Sequence, residues 1–309
     1  MKKKFKGLFV VETQFQLQIV NYLKRFKSFE HFEELHVYNG CVSFDSSKYY
    51  FNFYSFKGVC RSIYYGAKLN RFYFETVVGN FSTNFTSIYI LGVLNYLNIN
   101  TIDDGIGTYV LMKYPKFYHE KFAHRLKNLS ISVICSILKF PKRYRCLNLY
   151  EVTKIHYTPF PHFPNLSYVR KIKLFKKSPV NNMIIFLGTP IFNPDKLFLY
   201  IDILKSVSIK YPNVFYFPHP AEKTKKSLYN FENSFFDVIN YHSDFQTYCL
   251  AFGSPTVVIG SKSTALLIVS ILNPDSLRYF YDLEDSLSLK GTNILYDEIL
   301  QLHGAKPLV

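Results

Sequence analysis

Continuous apolar runs alternate with segments of helical period along both halves of the chain, and that alternation restricts the fold more than any single motif. Gly7–Val11 is an unbroken apolar run, as suits a strand covered on both faces. After Glu12, Thr13 and Gln14, the residues Phe15, Ile19, Tyr22, Leu23 and Phe26 recur on one helical face. Lys24, Arg25 and Lys27 close that helix, where its dipole favours cations. Glu34–Tyr38, Phe72–Val78 and Asn98–Ile102 read as further strands. The second half repeats the pattern, with strands at Met183–Leu187, Val214–Phe217 and Thr256–Gly260 and helices at Asp195–Tyr211, Asp244–Phe252 and Ser263–Leu272. Parallel strands need crossover connections, so strands that alternate with helices predict an α/β fold with parallel sheets.

Two such halves flank a passage of different character. Residues 113–145 are basic and aromatic, with a helical pattern over Leu129–Phe140, and Pro159, Pro161, Pro164 and the basic run Arg170–Lys177 follow. Proline and clustered charge disfavour regular buried structure. The expected organisation is therefore a first Rossmann-like domain over 1–155, a linker over 156–180 and a second Rossmann-like domain over 181–309. The two would face a central cleft lined by strand C-terminal ends, where open α/β sheets bind ligands.

Composition narrows the function classes. With 48% apolar and 19% charged residues, the 309-residue chain can bury a full core. A net charge of +15 favours anionic partners. Five scattered cysteines without a C-x-x-C pair argue against a disulfide framework or a zinc site and for a reducing compartment. The apolar stretch Ile88–Leu97, broken by Asn95, falls short of the roughly 20 residues of a membrane span, and Gly7–Val11 is too short for a signal-peptide core. The expectation is a cytoplasmic protein whose basic segment 113–145 suits contact with the inner membrane face. A nucleic-acid partner is not expected, because the basic residues are dispersed and no recognised module is present. No D-x-D, no Walker loop and no G-x-G-x-x-G occurs, which leaves no sequence hook for a metal-clamped nucleotide-sugar site, a P-loop or a dinucleotide.

Three segments carry candidate chemistry. Asp103-Asp104-Gly105 directly follows a strand, so one carboxylate can face a ligand and accept a proton, although Asp-Gly is also a common turn pair. Pro218-His219-Pro220 likewise follows a strand; the flanking prolines restrict where the imidazole points, toward a phosphate or simply into solvent. Gly260–Ala265 opens an apolar helix, so Ser261, Ser263 and Thr264 with the helix N–H groups make either a phosphate cradle or an ordinary cap.

The acidic pair with glycine, then His-Pro, then the Ser/Thr cluster, in that order, resembles the bacterial sialyltransferases of the lipooligosaccharide and capsular polysialyltransferase types. Val11–Leu17 and Gly188-Thr189-Pro190 extend the likeness, which runs from about Leu8 to Leu272; Phe15 and the displaced Gln14 depart from the family's opening. The resemblance implies a GT-B glycosyltransferase that inverts at the sugar and uses CMP-sialic acid or a related nonulosonic acid. It implies no metal and no further cofactor, and a lipooligosaccharide or capsule glycan as acceptor. Asp103 or Asp104 would be the base, with Asp195 a second candidate that also reads as a first-turn helix acid. His219, Ser261, Ser263 and Thr264 would contact the CMP phosphate, together with Gly188, Thr189, Pro218 and Pro220. Thr13, Gln14 and Gly105 would line the substrate. CMP-Kdo or a nucleotide-hexose is the nearest alternative donor. A basic nucleic-acid-binding protein or a peripheral membrane scaffold is the alternative from another class.

Overall fold

The computed structural model describes residues 3–37, 56–80, 85–103, 133, 153–160, 167–173, 180–219, 222, 227–230, 235–241, 244–283 and 292–308. Its contacts divide the chain into two compact units, Met1–Leu174 and Phe175–Val309.

The first unit is built on six parallel strands: β1 (Lys3–Val11), β2 (Phe32–His36), β3 (Phe72–Gly79), β4 (Asn95–Ile102), β5 (Ile155–Thr158) and β6 (Val169–Lys171). Their order across the sheet is β2-β1-β3-β4-β5-β6. Helices α1 (Gln14–Leu23), α2 (Phe56–Leu69) and α3 (Phe85–Val93) belong to the same unit. Leu8, Val10, Leu35, Val77, Ile90 and Ile99 form its core, as the unbroken apolar strands require. Helix α1 starts where Thr13 accepts a hydrogen bond from the Gln16 N–H (3.2 Å), while Gln16 Oε1 accepts from the Glu12 N–H (2.8 Å). The first bond satisfies a donor that a helix start leaves without a partner, and the second ties the residue before the cap to the first turn.

The passage 156–180 is not the irregular linker its composition predicts, because it carries most of β5 and all of β6. Thr158 closes β5 immediately before Pro159, so that proline removes no donor from the strand, and β6 opens at Val169.

The second unit has six further parallel strands: β7 (Val180–Leu187), β8 (Val214–Phe217), β9 (Asp237–Val238), β10 (Ser254–Ser261), β11 (Leu277–Tyr281) and β12 (Ala305–Pro307). Their order is β12-β11-β10-β7-β8-β9, so the chain winds outward from β7 to β9 and then crosses back to β10. That is the Rossmann order, with its switch point between β7 and β10. Helices α4 (Pro194–Lys210), α5 (Phe245–Phe252), α6 (Thr264–Leu272) and α7 (Thr292–Leu302) complete it. An aromatic core of Phe186, Tyr200, Tyr216, Phe236 and Tyr281 sits with Leu204, Val207 and Ile259. Buried Arg278 donates to the carbonyls of Asn273 (3.3 Å), Pro274 (3.2 Å), Ser276 (2.7 Å) and His303 (3.0 Å), satisfying the chain just past α6 and α7.

Candidate functional site

In the second unit the sequence candidates gather at the C-terminal edge of three adjacent strands. Gly188 and Thr189 follow β7, Pro218 and His219 follow β8, and Ser261 ends β10. At the switch point Thr189 Oγ1 donates to Ser261 Oγ (2.9 Å) and also lies 3.1 Å from Tyr281 Oη. Across the other seam the Gly188 N–H donates to the Phe217 carbonyl (2.9 Å), extending the β7–β8 ladder by one residue. Ser263 is the N-cap of α6, but its hydroxyl makes no capping hydrogen bond, and Thr264 is the first helical residue. A nine-residue helix therefore starts beside Ser261 with its N-terminal dipole intact, the arrangement that favours an anion.

The lysine within this segment is otherwise engaged. Lys262 Nζ lies 2.5 Å from Asp282 Oδ2 and 2.8 Å from Asp297 Oδ1. Burial lowers its pKa, but the two carboxylates outweigh that and hold it above the ordinary lysine value. The groups here that could meet an anion are therefore hydroxyls and N–H groups at the start of α6 and, past the end of β8, His219. Burial about the imidazole lowers the His219 pKa, while the residue as a whole stays exposed at the end of β8.

Behind these turns lies a buried polar chain that the sequence reading missed. The Thr189 N–H donates to Tyr200 Oη (3.3 Å), Tyr200 Oη is 2.8 Å from Tyr216 Oη, and Tyr216 donates to Glu222 Oε2 (2.8 Å). Glu222 Oε1 accepts from the His219 N–H (3.3 Å), and the Glu222 N–H donates to the His219 carbonyl (2.9 Å). Glu222 is 6% exposed, and burial raises its pKa to about 7 although both hydrogen bonds pull the other way. Tyr200 and Tyr216 alternate with apolar neighbours and look like core residues in sequence. The one trace of Glu222 is a carboxylate three residues after His219.

In the first unit Asp103 directly follows β4, as expected, but its carboxylate is 0% exposed. Thr158 Oγ1 donates to Asp103 Oδ2 (2.6 Å), and His156 Nε2 lies 3.8 Å from the same oxygen. His156 Nδ1 in turn lies 2.9 Å from Thr101 Oγ1, so the ends of β4 and β5 share one buried polar cluster. Asp104, Gly105 and Pro220 lie outside the described residues, as does segment 113–145 apart from Val133. Thr13 caps α1, and Gln14 is that helix's first residue. Asp195 is exposed in the first turn of α4, its N–H donating to the Asn193 side chain (3.0 Å). Among the described residues no three His, Cys, Asp or Glu side chains group as metal ligands, and no helix is long and apolar enough to cross a membrane.

The family model of glycosyltransferase family 52 matches residues 12–250. No curated protein matches the chain at a significant level. Among solved structures, an α/β-galactoside α-2,3-sialyltransferase from the luminous marine bacterium Photobacterium phosphoreum is similar over 99% of each chain, at 15% identity and a TM-score of 0.51. The GT-B domain of a sialyltransferase from Photobacterium damselae is similar over 98% of this chain and 99% of that one, at 12% identity and a TM-score of 0.52. Identities this low speak for the fold, which is of the GT-B type.

Proposed function

The chain belongs to glycosyltransferase family 52 and is a glycosyltransferase; from that premise we propose that it moves sialic acid, or a related nonulosonic acid, from a CMP-sugar to a hydroxyl of a cell-surface glycan. The observation that carries the reading is the gathering of Thr189, His219, Ser261 and the start of α6 at the C-terminal edge of three neighbouring strands, about the switch point of the second sheet. Transfer from CMP releases a phosphate monoester, so the site must favour an anion that gains charge as the glycosidic bond breaks. Hydroxyls, helix N–H groups and an imidazole do that, and they act strongest where they are held in place beforehand.

In this reading Ser261, Ser263, Thr264 and Thr189 hold the phosphate, with Gly188, Pro218 and Pro220 shaping the turns, and His219 contacts the leaving oxygen. An inverting displacement needs one base for the acceptor hydroxyl, and Asp103, Asp104 and Asp195 are the candidates. Asp103 is held by Thr158 in a buried position, so it would have to become accessible to act directly; Asp195 is already exposed. Thr13, Gln14 and Gly105 are assigned to the acceptor side. The groups proposed to hold the phosphate are hydroxyls, N–H groups and an imidazole, which can act without a bridging cation, and the transfer proposed is metal-independent. A net charge of +15 raises the local concentration of an anionic donor, and the basic segment 113–145 supports contact with an anionic membrane surface.

The test is a donor panel of CMP-sialic acid, CMP-Kdo and UDP-hexoses with purified protein, reading the released nucleotide by mass spectrometry with and without EDTA. CMP release from the sialic-acid donor, unchanged by EDTA, is expected. Release from UDP-hexoses alone, or a complete loss that added metal restores, overturns the reading.

A further inference from the structure

We infer that Glu222 is a positioning residue that ties the turn after β7 to the turn after β8 and so fixes Thr189 and His219 at one separation for the anionic group of the donor. The inference deepens the function proposed above and rests on it for the identity of that ligand.

Two backbone N–H groups whose donor direction cannot change stand at the ends of the chain: Thr189 N–H on Tyr200, and His219 N–H on Glu222 Oε1. Tyr216 has one hydroxyl proton and gives it to Glu222 Oε2, so in the Tyr200–Tyr216 contact Tyr200 must be the donor. Every hydrogen bond then runs toward the carboxylate, and an ionised carboxylate is the side chain of this size that accepts on both oxygens. Glutamine has one acceptor and one donor, so it would turn an N–H₂ toward either the His219 N–H or the Tyr216 hydroxyl.

Packing supports the same role. A Cβ at position 188 would overlap Glu222 Oε1 and stand 2.5 Å from Tyr216 Oη, so the carboxylate lies directly against bare Gly188 backbone. Glu222 thus braces the start of one turn by contact and its Thr189 N–H through two tyrosines, while it holds the other turn by its own hydrogen bonds. Neither Glu222 nor Tyr216 reaches the exposed edge; both are buried behind the residues they position.

The experiment uses the full chain as wild type, Glu222→Gln and Tyr216→Phe, each first shown to be folded by circular dichroism. Amide hydrogen exchange at Thr189 and His219, read by NMR without ligand, comes first. Exchange about tenfold or more faster at both amides in Glu222→Gln, and at Thr189 in Tyr216→Phe, is expected, with Val10 and Leu35 of the first unit unchanged. Unchanged exchange overturns the inference whatever the protein's donor is. CMP affinity and donor KM come second, with affinity about tenfold weaker and KM raised in both variants. Mere loss of fold would lower the active fraction and leave the KM of the remainder where it was. Faster exchange with CMP affinity intact also overturns the inference. If the wild type itself takes no CMP, the functional reading has failed, and the exchange data alone decide whether Glu222 ties the two turns.

Discussion

Replacing Glu222 by glutamine should change how the protein's stability depends on pH, and the size of the change follows from its burial. The carboxyl titrates at 4.5 in an ordinary environment and at about 7 in the fold, because desolvation outweighs the bonds from Tyr216 and His219. The folded state therefore binds this proton more tightly than the unfolded state. Below pH 4.5 the group is protonated in both states and costs nothing. As pH rises from 4.5 through 7, the unfolded chain releases its proton first and stability falls; above 7 the full cost is present. A difference between 4.5 and about 7, at about 1.36 kcal/mol for each tenfold step, amounts to about 3 kcal/mol.

Urea unfolding of wild type and Glu222→Gln at intervals from pH 4.5 to 8, followed by circular dichroism, measures this directly. The titratable groups around Glu222 are His219, Tyr200, Tyr216 and Tyr281. Burial raises the three tyrosines, so they stay neutral throughout the range. His219, with its pKa lowered, contributes the opposite slope, but it does so in both proteins and cancels in the comparison. Stability of the variant minus that of the wild type should rise by about 3 kcal/mol across the range. Curves that stay parallel from pH 4.5 to 8 would mean that the folded carboxylate is as well solvated as a free one, and the burial argument would be wrong.

Three further outcomes are expected. His219→Ala should lower the transfer rate on the order of 10²–10³-fold in a folded protein, the usual loss for one preorganised donor at a developing charge; near wild-type turnover returns the residue to an ordinary turn. Gly188→Ala drives a methyl into Glu222 and Tyr216, and thermal unfolding should show a loss of about 1–3 kcal/mol together with weaker CMP binding. Of Asp103→Asn, Asp104→Asn and Asp195→Asn, the true base should lose about 10²-fold or more in transfer while still binding CMP. An active Asp103→Asn beside a folded, inactive Asp195→Asn assigns the base to the second unit.

The division between what could and could not be read from sequence follows the range of the interactions involved. Val214–Phe217 and Ser263–Leu272 are legible because apolar period and a serine at the helix start are local signals, and the strand and helix occur there. Placing Gly188-Thr189, His219 and Ser261 at strand ends follows from the same local pattern. The neighbourhood of those ends does not, since it depends on β10 returning to pair with β7 across more than seventy residues. The strands within the passage 156–180 are a related case. Prolines forbid a ladder donor only at their own positions, and β5 and β6 begin and end just outside them. At Thr13, the Thr-x-x-Gln spacing is a local signal for a helix start, and the capping bond forms there alongside the substrate role proposed for the residue.

Glu222 shows why the remaining part stays hidden. Its partners lie 3, 6, 22 and 33 residues away, at His219, Tyr216, Tyr200 and Thr189, on two strand ends and one helix, so no window of sequence contains the pattern. A buried carboxylate whose ionisation costs about 3 kcal/mol is a poor choice for stability alone, since leucine at that position would bury without the charge. Leucine, however, would leave the His219 N–H and the Tyr216 hydroxyl without acceptors, and it could not lie against Gly188 as a flat carboxylate does. The cost is tolerable where two turns must be held in register at a site for a charged ligand. It is highest above pH 7, where the carboxylate is ionised and the chain of donors that ends on it is complete.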